Sequence, residues 1–331
     1  MLKSHIDRSD SIFQDDEGTW FFSRYEDVKC LLSDERFLRR PPQGAGYVHF
    51  DNGHTAFDET ISYWPIFNDP PQHTRLREIL ASLFLPNQLK KIKNIITVIT
   101  TDLLQVLLSY NTTDFMQTFA SPLPVAVINQ LLGTEIDNPT IRAWSMGVLG
   151  ALDQGSPQDF SNASPIIRAM NSYISDIILN REYSSQTDWI SELIRIKNVY
   201  HLSQPELNSL CIFLLLAGQE TVHLSLGLGL MVLLRNPRQI QLLQENPSLV
   251  NSAVEEILRH QSPLKKICRW TRETIVINKV AIPQGQLIVG LLSEANRDPV
   301  RYKNPAEFDI MRSNNRHLTF GCGIHHCQGA M

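Results

Sequence analysis

Phe320-Gly321-Cys322-Gly323-Ile324-His325-His326-Cys327-Gln328-Gly329 is the stretch on which the reading of this 331-residue chain turns. Three glycines stand around Cys327. Glycine alone lacks the Cβ that collides in a sharp turn or a close approach, so the spacing predicts a loop pressed against something flat and bulky. The same ten residues carry Cys322, His325, His326 and Cys327, all potential zinc ligands. Those four lie within six residues, with no second Cys-x-x-Cys or His-x-x-x-His half elsewhere to complete a tetrahedral cage. Spacing alone leaves two alternatives, a single-cysteine site and a crowded zinc site.

The last forty residues, rich in Asn, Arg and Pro and ending in this loop, read as irregular chain. Before them, residues 274–277 and 286–291 read as strands around the turns Asn278-Lys279 and Pro283-Gln284-Gly285. Everything earlier is dominated by helical periodicity. A helix is expected over 248–260, and a long apolar one opens at the capping box Ser203/Glu206, with Pro205 in its first turn, and stops near Asn236-Pro237. At more than thirty residues that helix approaches membrane-spanning length. Gln219, Glu220 and His223 at its centre favour a buried core helix instead. Helical patterns also cover 125–132 and 166–179, interrupted by the Gly, Ser and Pro cluster at 155–165, and run from 71 to about 109 in two pieces divided at Pro86. Near the start, 19–22 reads as a short strand, and Ser23 with Glu26 as a capping box opening a helix through Leu32.

A chain that is 43% hydrophobic and 19% charged can bury a large core, and without repeats or Gly/Ser linkers a single mixed domain is the expectation. A net charge of -4 offers no general attraction for nucleic acid or an anionic membrane. The polar, acidic N-terminus lacks the apolar segment of a secretory signal, and five scattered cysteines do not make a disulfide framework, so the expected compartment is the cytoplasm.

The cysteine stretch resembles the ligand loop of the cytochrome P450 family, Phe-Gly-x-Gly-x-His-x-Cys-x-Gly, at Phe320, Gly321, Gly323, His325, Cys327 and Gly329. Six fixed positions in ten residues make a specific signal, and three further family motifs follow in the expected order. Ala217-Gly218-Gln219-Glu220-Thr221 looks like the oxygen-activation motif. Read from physics alone, its acid and hydroxyl are a structural polar core, with Thr221 bonding back to the preceding turn. By resemblance, Ala217 and Gly218 leave a groove for O2, and Glu220 and Thr221 deliver protons. Glu256-Ile257-Leu258-Arg259 matches the family's Glu-x-x-Arg pair; alone it reads as a solvated i, i+3 ion pair, and the resemblance implies a buried structural one. Asp69-Pro70-Pro71-Gln72-His73-Thr74-Arg75-Leu76-Arg77 resembles a helix start in soluble bacterial members, with His73 and Arg77 on one face. His73, Arg77, Arg269 and His325 are the implied partners of the haem propionates. Weaker matches stand at residues 23–28 and at Asn296-Arg297-Asp298-Pro299 with Pro305 and Phe308.

The resemblance implies a mainly α fold with small β-sheets (α+β) spanning residues 1–331 as one domain. Family members continue past the loop with a helix and strands, so the domain is expected to be C-terminally incomplete at Met331. Cys327 is implied as the axial ligand of haem b, and the activity as insertion of one oxygen atom from O2 into a small hydrophobic substrate. The chain carries no Gly-rich flavin or nicotinamide loop, so electrons are expected from a ferredoxin and its reductase. Substrate-pocket residues are expected within 45–65 and 145–200. Gln328, where the family usually has an apolar residue, is expected to shift the iron's potential. Two alternatives remain: a degenerate haem-binding protein without turnover, and a haem-thiolate peroxygenase or isomerase.

Overall fold

In chain order the computed structural model, which describes residues 11–41, 55–154, 156–181 and 186–330, begins with β1 (Ile12–Gln14), β2 (Trp20–Phe22), α1 (Tyr25–Ser33) and β3 (Phe37–Leu38). Among the described residues the α-helices α2 (Ala56–Ser62), α3 (Gln72–Ala81), α4 (Pro86–Leu108), α5 (Pro122–Leu132), α6 (Asn138–Gln154), α7 (Pro157–Arg181), α8 (Trp189–Ile196) and α9 (Gln204–Ala217) follow. Then come α10 (Glu220–Leu234), α11 (Pro237–Glu245), α12 (Val250–His260), β4 (Lys266–Thr271), β5 (Ile275–Ile277), β6 (Val280–Ile282), β7 (Leu287–Leu291) and the single turn α13 (Leu292–Ala295). The fold is mainly α with small sheets, as expected. The chain divides into two compact units, Tyr47–His223 and the remainder, with the boundary inside α10.

The Tyr47–His223 unit is helical around one apolar cluster to which α2, α3, α5–α7, α8 and α9 all contribute. Its helix boundaries follow local chemistry. Pro86 stands at the first turn of α4, where its missing N–H has no intrahelical partner to lose. Ser203 and Glu206 cap α9 reciprocally, and the Glu206 carboxylate also pairs with Arg75. The Ser and Pro residues of the 155–165 cluster do not interrupt the helix: α7 begins at Pro157 and carries Pro165 inside it. The Ser156 hydroxyl accepts the Asp159 N–H at 3.2 Å, so the cluster starts a helix where it was expected to end one.

The long apolar segment departs from expectation too. Gln204–Leu234 spans 31 residues and is apolar enough to cross a membrane by length and composition, but it is two helices, not one. The ladder loosens between them: the Gln219 N–H reaches the Leu216 carbonyl at 3.5 Å, one residue short of the α-helical partner. Gly218 lacks the side chain that favours helix, and the buried Gln219 carboxamide donates to the Ser145 hydroxyl of α6. Leu207, Leu210, Ile212 and Leu214 to Leu216 lie in the unit's core, in keeping with a core helix.

The second unit is built on a sheet of order β1-β2-β7-β4-β3, with β2 and β7 parallel and the other neighbours antiparallel. β5 and β6 form a separate hairpin whose turn, Asn278-Lys279, has positive φ at both residues, as the primed hairpin turn requires. Strand β4 was not anticipated, since Lys266-Ile267-Cys268-Arg269-Trp270-Thr271 buries Arg269 instead of alternating cleanly. The expected capping box of α1 is not formed. Ser23 bonds to the Ser11 carbonyl, Arg24 is the N-cap, and the Tyr25 N–H is taken at 2.9 Å by the Asp298 carboxylate. A distant carboxylate has displaced the local cap.

Candidate functional site

The cysteine loop is held by its own backbone. Gly321 N–H donates to Leu318 O at 2.8 Å, Cys327 N–H to Phe320 O at 2.9 Å and His326 N–H to Gly323 O at 3.1 Å. Gly321 and Gly323 both sit at φ +70°, a region closed to most side chains. At Gly323 there is a second reason: a Cβ would meet the Leu32 carbonyl oxygen at 2.7 Å and Ser33 Cα at 2.9 Å, so only glycine lets the loop lie against the end of α1. Gly329 is different. It has no positive φ, and a Cβ there would meet only the Cys327 sulfur, at 3.9 Å. That glycine leaves room beside the thiol, not within the protein.

The two cysteines of the loop have separate fates. The half-buried Cys322 thiol donates to the Lys29 carbonyl of α1 at 3.6 Å, and burial raises its pKa. Cys327 is exposed. Among the described residues no three His, Cys, Asp or Glu side chains gather as a metal-binding set. The zinc reading therefore loses its ligands, and the loop offers one accessible thiol. In the same unit, Arg269 is buried on β4 with Nη1 on the Cys268 carbonyl at 2.9 Å, and His325 is half-buried in the short 3-10 turn Gly323–His325.

Glu256 and Arg259, one turn apart on α12, form a bidentate pair at 2.7 and 2.8 Å with both side chains wholly buried. Arg259 spends its remaining donors on the carbonyls of Asn296, Pro305 and Glu307. Glu256 also accepts the Asp309 N–H at 3.0 Å and Arg312 Nε at 3.2 Å. Burial pushes the Glu256 carboxyl up, but the Arg259 and Asp309 hydrogen bonds and the two guanidinium charges outweigh it and hold the pKa below the ordinary value. Arg312, the third charged member, was missed in the sequence because it lies 56 residues from Glu256 with no local spacing signal.

The other candidates belong to the helical unit. His73 is buried and Arg77 half-buried one turn later on α3. Ala217 and Thr221 are exposed and Glu220 half-buried, at the interruption between α9 and α10. A Cβ on Gly218 would touch Ile128 of α5 at 3.0 Å, so close helix packing is one demand on that glycine. Near it, the buried His223 lies 3.4 Å from Arg142, which donates to Ser121 at 3.2 Å. The segment 45–54, part of the expected substrate pocket, lies outside the described residues.

A lone accessible thiol on a glycine-shaped loop, with space kept beside the sulfur, is an arrangement that can present one protein sulfur to a bound group. The cytochrome P450 family pattern matches residues 157–331. The polyketide biosynthesis cytochrome P450 PksS of Bacillus subtilis is 32% identical over 94% of this chain and 77% of its own length. The 6-deoxyerythronolide B hydroxylase of Saccharopolyspora erythraea is 33% identical over 95% of this chain and 78% of its own. Among solved structures, P450BioI in complex with an acyl carrier protein ligated to hexadec-9Z-enoic acid superposes with a TM-score of 0.85 at 29% identity, covering 97% of this chain and 83% of that one. The chain belongs to the cytochrome P450 family, whose members bind haem b and act as haem-thiolate monooxygenases.

Proposed function

We propose that this chain is a cytoplasmic monooxygenase that inserts one oxygen atom of O2 into a small hydrophobic substrate, with Cys327 as the axial ligand. The single observation that carries the assignment is the Cys327 thiol, exposed on a loop whose backbone is closed by the Cys327–Phe320 hydrogen bond. Haem b, when bound, supplies the activation of O2 that the side chains of this protein cannot perform.

The chain's residues do the rest. Arg77 and Arg269 keep their charge at any physiological pH and donate in a fork, which suits them to the propionate carboxylates; His73 and His325 add hydrogen bonds. Glu220 and Thr221 hold and pass on the two protons that, with two electrons from outside, let one atom of O2 leave as water. Ala217 and Gly218 keep side-chain bulk away from that step. Electrons come from a ferredoxin and its reductase. A substrate of polyketide or acyl-chain type is favoured by the names of the relatives, one of which acts in polyketide biosynthesis while another is seen with an acyl carrier protein.

The test is a carbon monoxide difference spectrum of the reduced protein purified with haem supplied. A thiolate-type Soret band is expected, lost in Cys327→Ala; a band that survives the substitution removes Cys327 from its role. Product formation that needs NAD(P)H and the redox proteins supports the monooxygenase reading, and turnover with peroxide alone, or with no reductant, replaces it.

A further inference from the structure

We propose that Asn296 is a positioning residue for the cysteine loop: its carboxamide sets the chain where it enters the loop, and thereby the placement of the Cys327 thiol. The proposal rests on the reading of Cys327 as ligand. Asn296 follows α13 in Asn296-Arg297-Asp298-Pro299, a sequence feature to which no function above has been attached, and it is fully buried.

Its Oδ1 accepts the Leu318 N–H at 2.7 Å, and its Nδ2 donates to the Thr319 hydroxyl at 3.0 Å. That hydroxyl donates onward to the Leu258 carbonyl of α12 at 2.8 Å, so it must accept from Asn296. One planar group thus satisfies a donor and an acceptor on successive residues, its oxygen accepting from one and its nitrogen donating to the next. The Asn296 carbonyl is itself held by Arg259 at 2.9 Å, tying this bracket to the buried Glu256–Arg259 pair. Leu318 is then gripped at both ends, its N–H on Asn296 and its carbonyl on the Gly321 N–H at 2.8 Å. Between Leu318 and Cys327 the chain is held by the loop's own backbone bonds and by the contacts of Thr319 with α12 and of Cys322 and Gly323 with α1.

Two residues along, Asp298 holds the other side. Its carboxylate takes the Tyr25 N–H at 2.9 Å and Arg24 at 3.0 Å, anchoring α1, against whose last turn Gly323 lies and to whose Lys29 carbonyl Cys322 donates. Both flanks of the loop therefore refer to one three-residue segment.

Hydrogen exchange of the purified full chain, measured without added haem, tests this. Asn296→Leu leaves the Leu318 N–H without its acceptor, and residues 318–327 are expected to exchange about tenfold faster while β4 and β7 keep their protection. With haem supplied, the thiolate-type Soret band of the reduced carbon monoxide adduct is expected to give way to a non-thiolate band. Should Asn296→Leu fail to fold, Thr319→Val keeps the Asn296–Leu318 bond and removes the hydroxyl with its bonds to Asn296 and Leu258; it is expected to loosen 318–327, and Thr319→Ser to restore the protection. Unchanged exchange over 318–327, or loosening spread equally over the unit, overturns the proposal. Because the exchange needs no haem, a failure of the Cys327 assignment appears only in the spectra and is distinguishable from a failure of the bracket.

Discussion

Glu256 and Thr221 were both singled out by short spacing motifs on helices, yet the structure surrounds them very differently. The Glu256 carboxylate is wholly buried and takes hydrogen bonds from two arginines and a backbone N–H, while its partner Arg259 bonds to three carbonyls. Thr221 is exposed, beside a backbone ladder already loosened at Gln219. A buried charge is tolerable only when its neighbours satisfy it completely, so the first region is over-determined and its chemistry is structural. The proton-delivering role proposed for Thr221 calls for the opposite, a hydroxyl within reach of solvent.

The sharpest way to break the contrast is Glu256→Ala. Removing one partner strands Arg259 and Arg312, and a loss of about 3–5 kcal/mol is expected in urea unfolding; a loss below 1 kcal/mol would place the pair in water. Next in size is a pH effect. Burial holds His317 neutral down to about 4, despite the Glu255 carboxylate at 3.3 Å, which is half exposed and so screened. Its Nδ1 accepts the Thr319 N–H at 3.2 Å, a bond that only the neutral ring makes. The unfolded chain binds the proton first, so stability should fall as pH drops from 6.5 toward 4, by roughly 2–3 kcal/mol in all. His317→Gln should flatten that part of the urea-midpoint profile, and an unchanged slope would assign it to other groups.

Smaller again is Ser203→Ala, which removes the α9 cap and should cost about 1 kcal/mol, read from the thermal midpoint. Smallest on the fold, and for that reason the most informative, is Thr221→Ala. It is expected to change stability by no more than about 0.5 kcal/mol and to lower substrate oxidation per electron consumed by roughly 10²-fold. The reverse pattern, a large stability loss with coupling intact, would put Thr221 in the same structural class as Glu256.

Local signals carried furthest where one turn of chain was enough. The Ser203/Glu206 cap, the Pro86 boundary and the Asn278-Lys279 hairpin are set within one short stretch of chain and all appear in the structure, as does the strand at 19–22, although it pairs with β7 from the far end of the sequence. The i, i+3 spacing of Glu256 and Arg259 likewise implied an ion pair. The same kind of signal failed at Ser23, where Asp298 arrives from 273 residues away to take the Tyr25 N–H. It failed at the apolar segment 204–234 too, where a side-chain contact to Ser145 accompanies a break that hydropathy does not register.

The order of residues by itself marked the cysteine loop: glycines clustered around Cys327 signal a sharp turn or a close approach, and the positive φ of Gly321 and Gly323 bears that out, while the approach at Gly323 is to α1 from the other end of the chain. Only the tertiary structure decided which thiol is accessible, that Glu256 and Arg259 are sealed from water, and that Asn296 grips the chain leading to Cys327. Burial and satisfaction of a polar group depend on every segment that closes around it, and those segments lie tens to hundreds of residues apart.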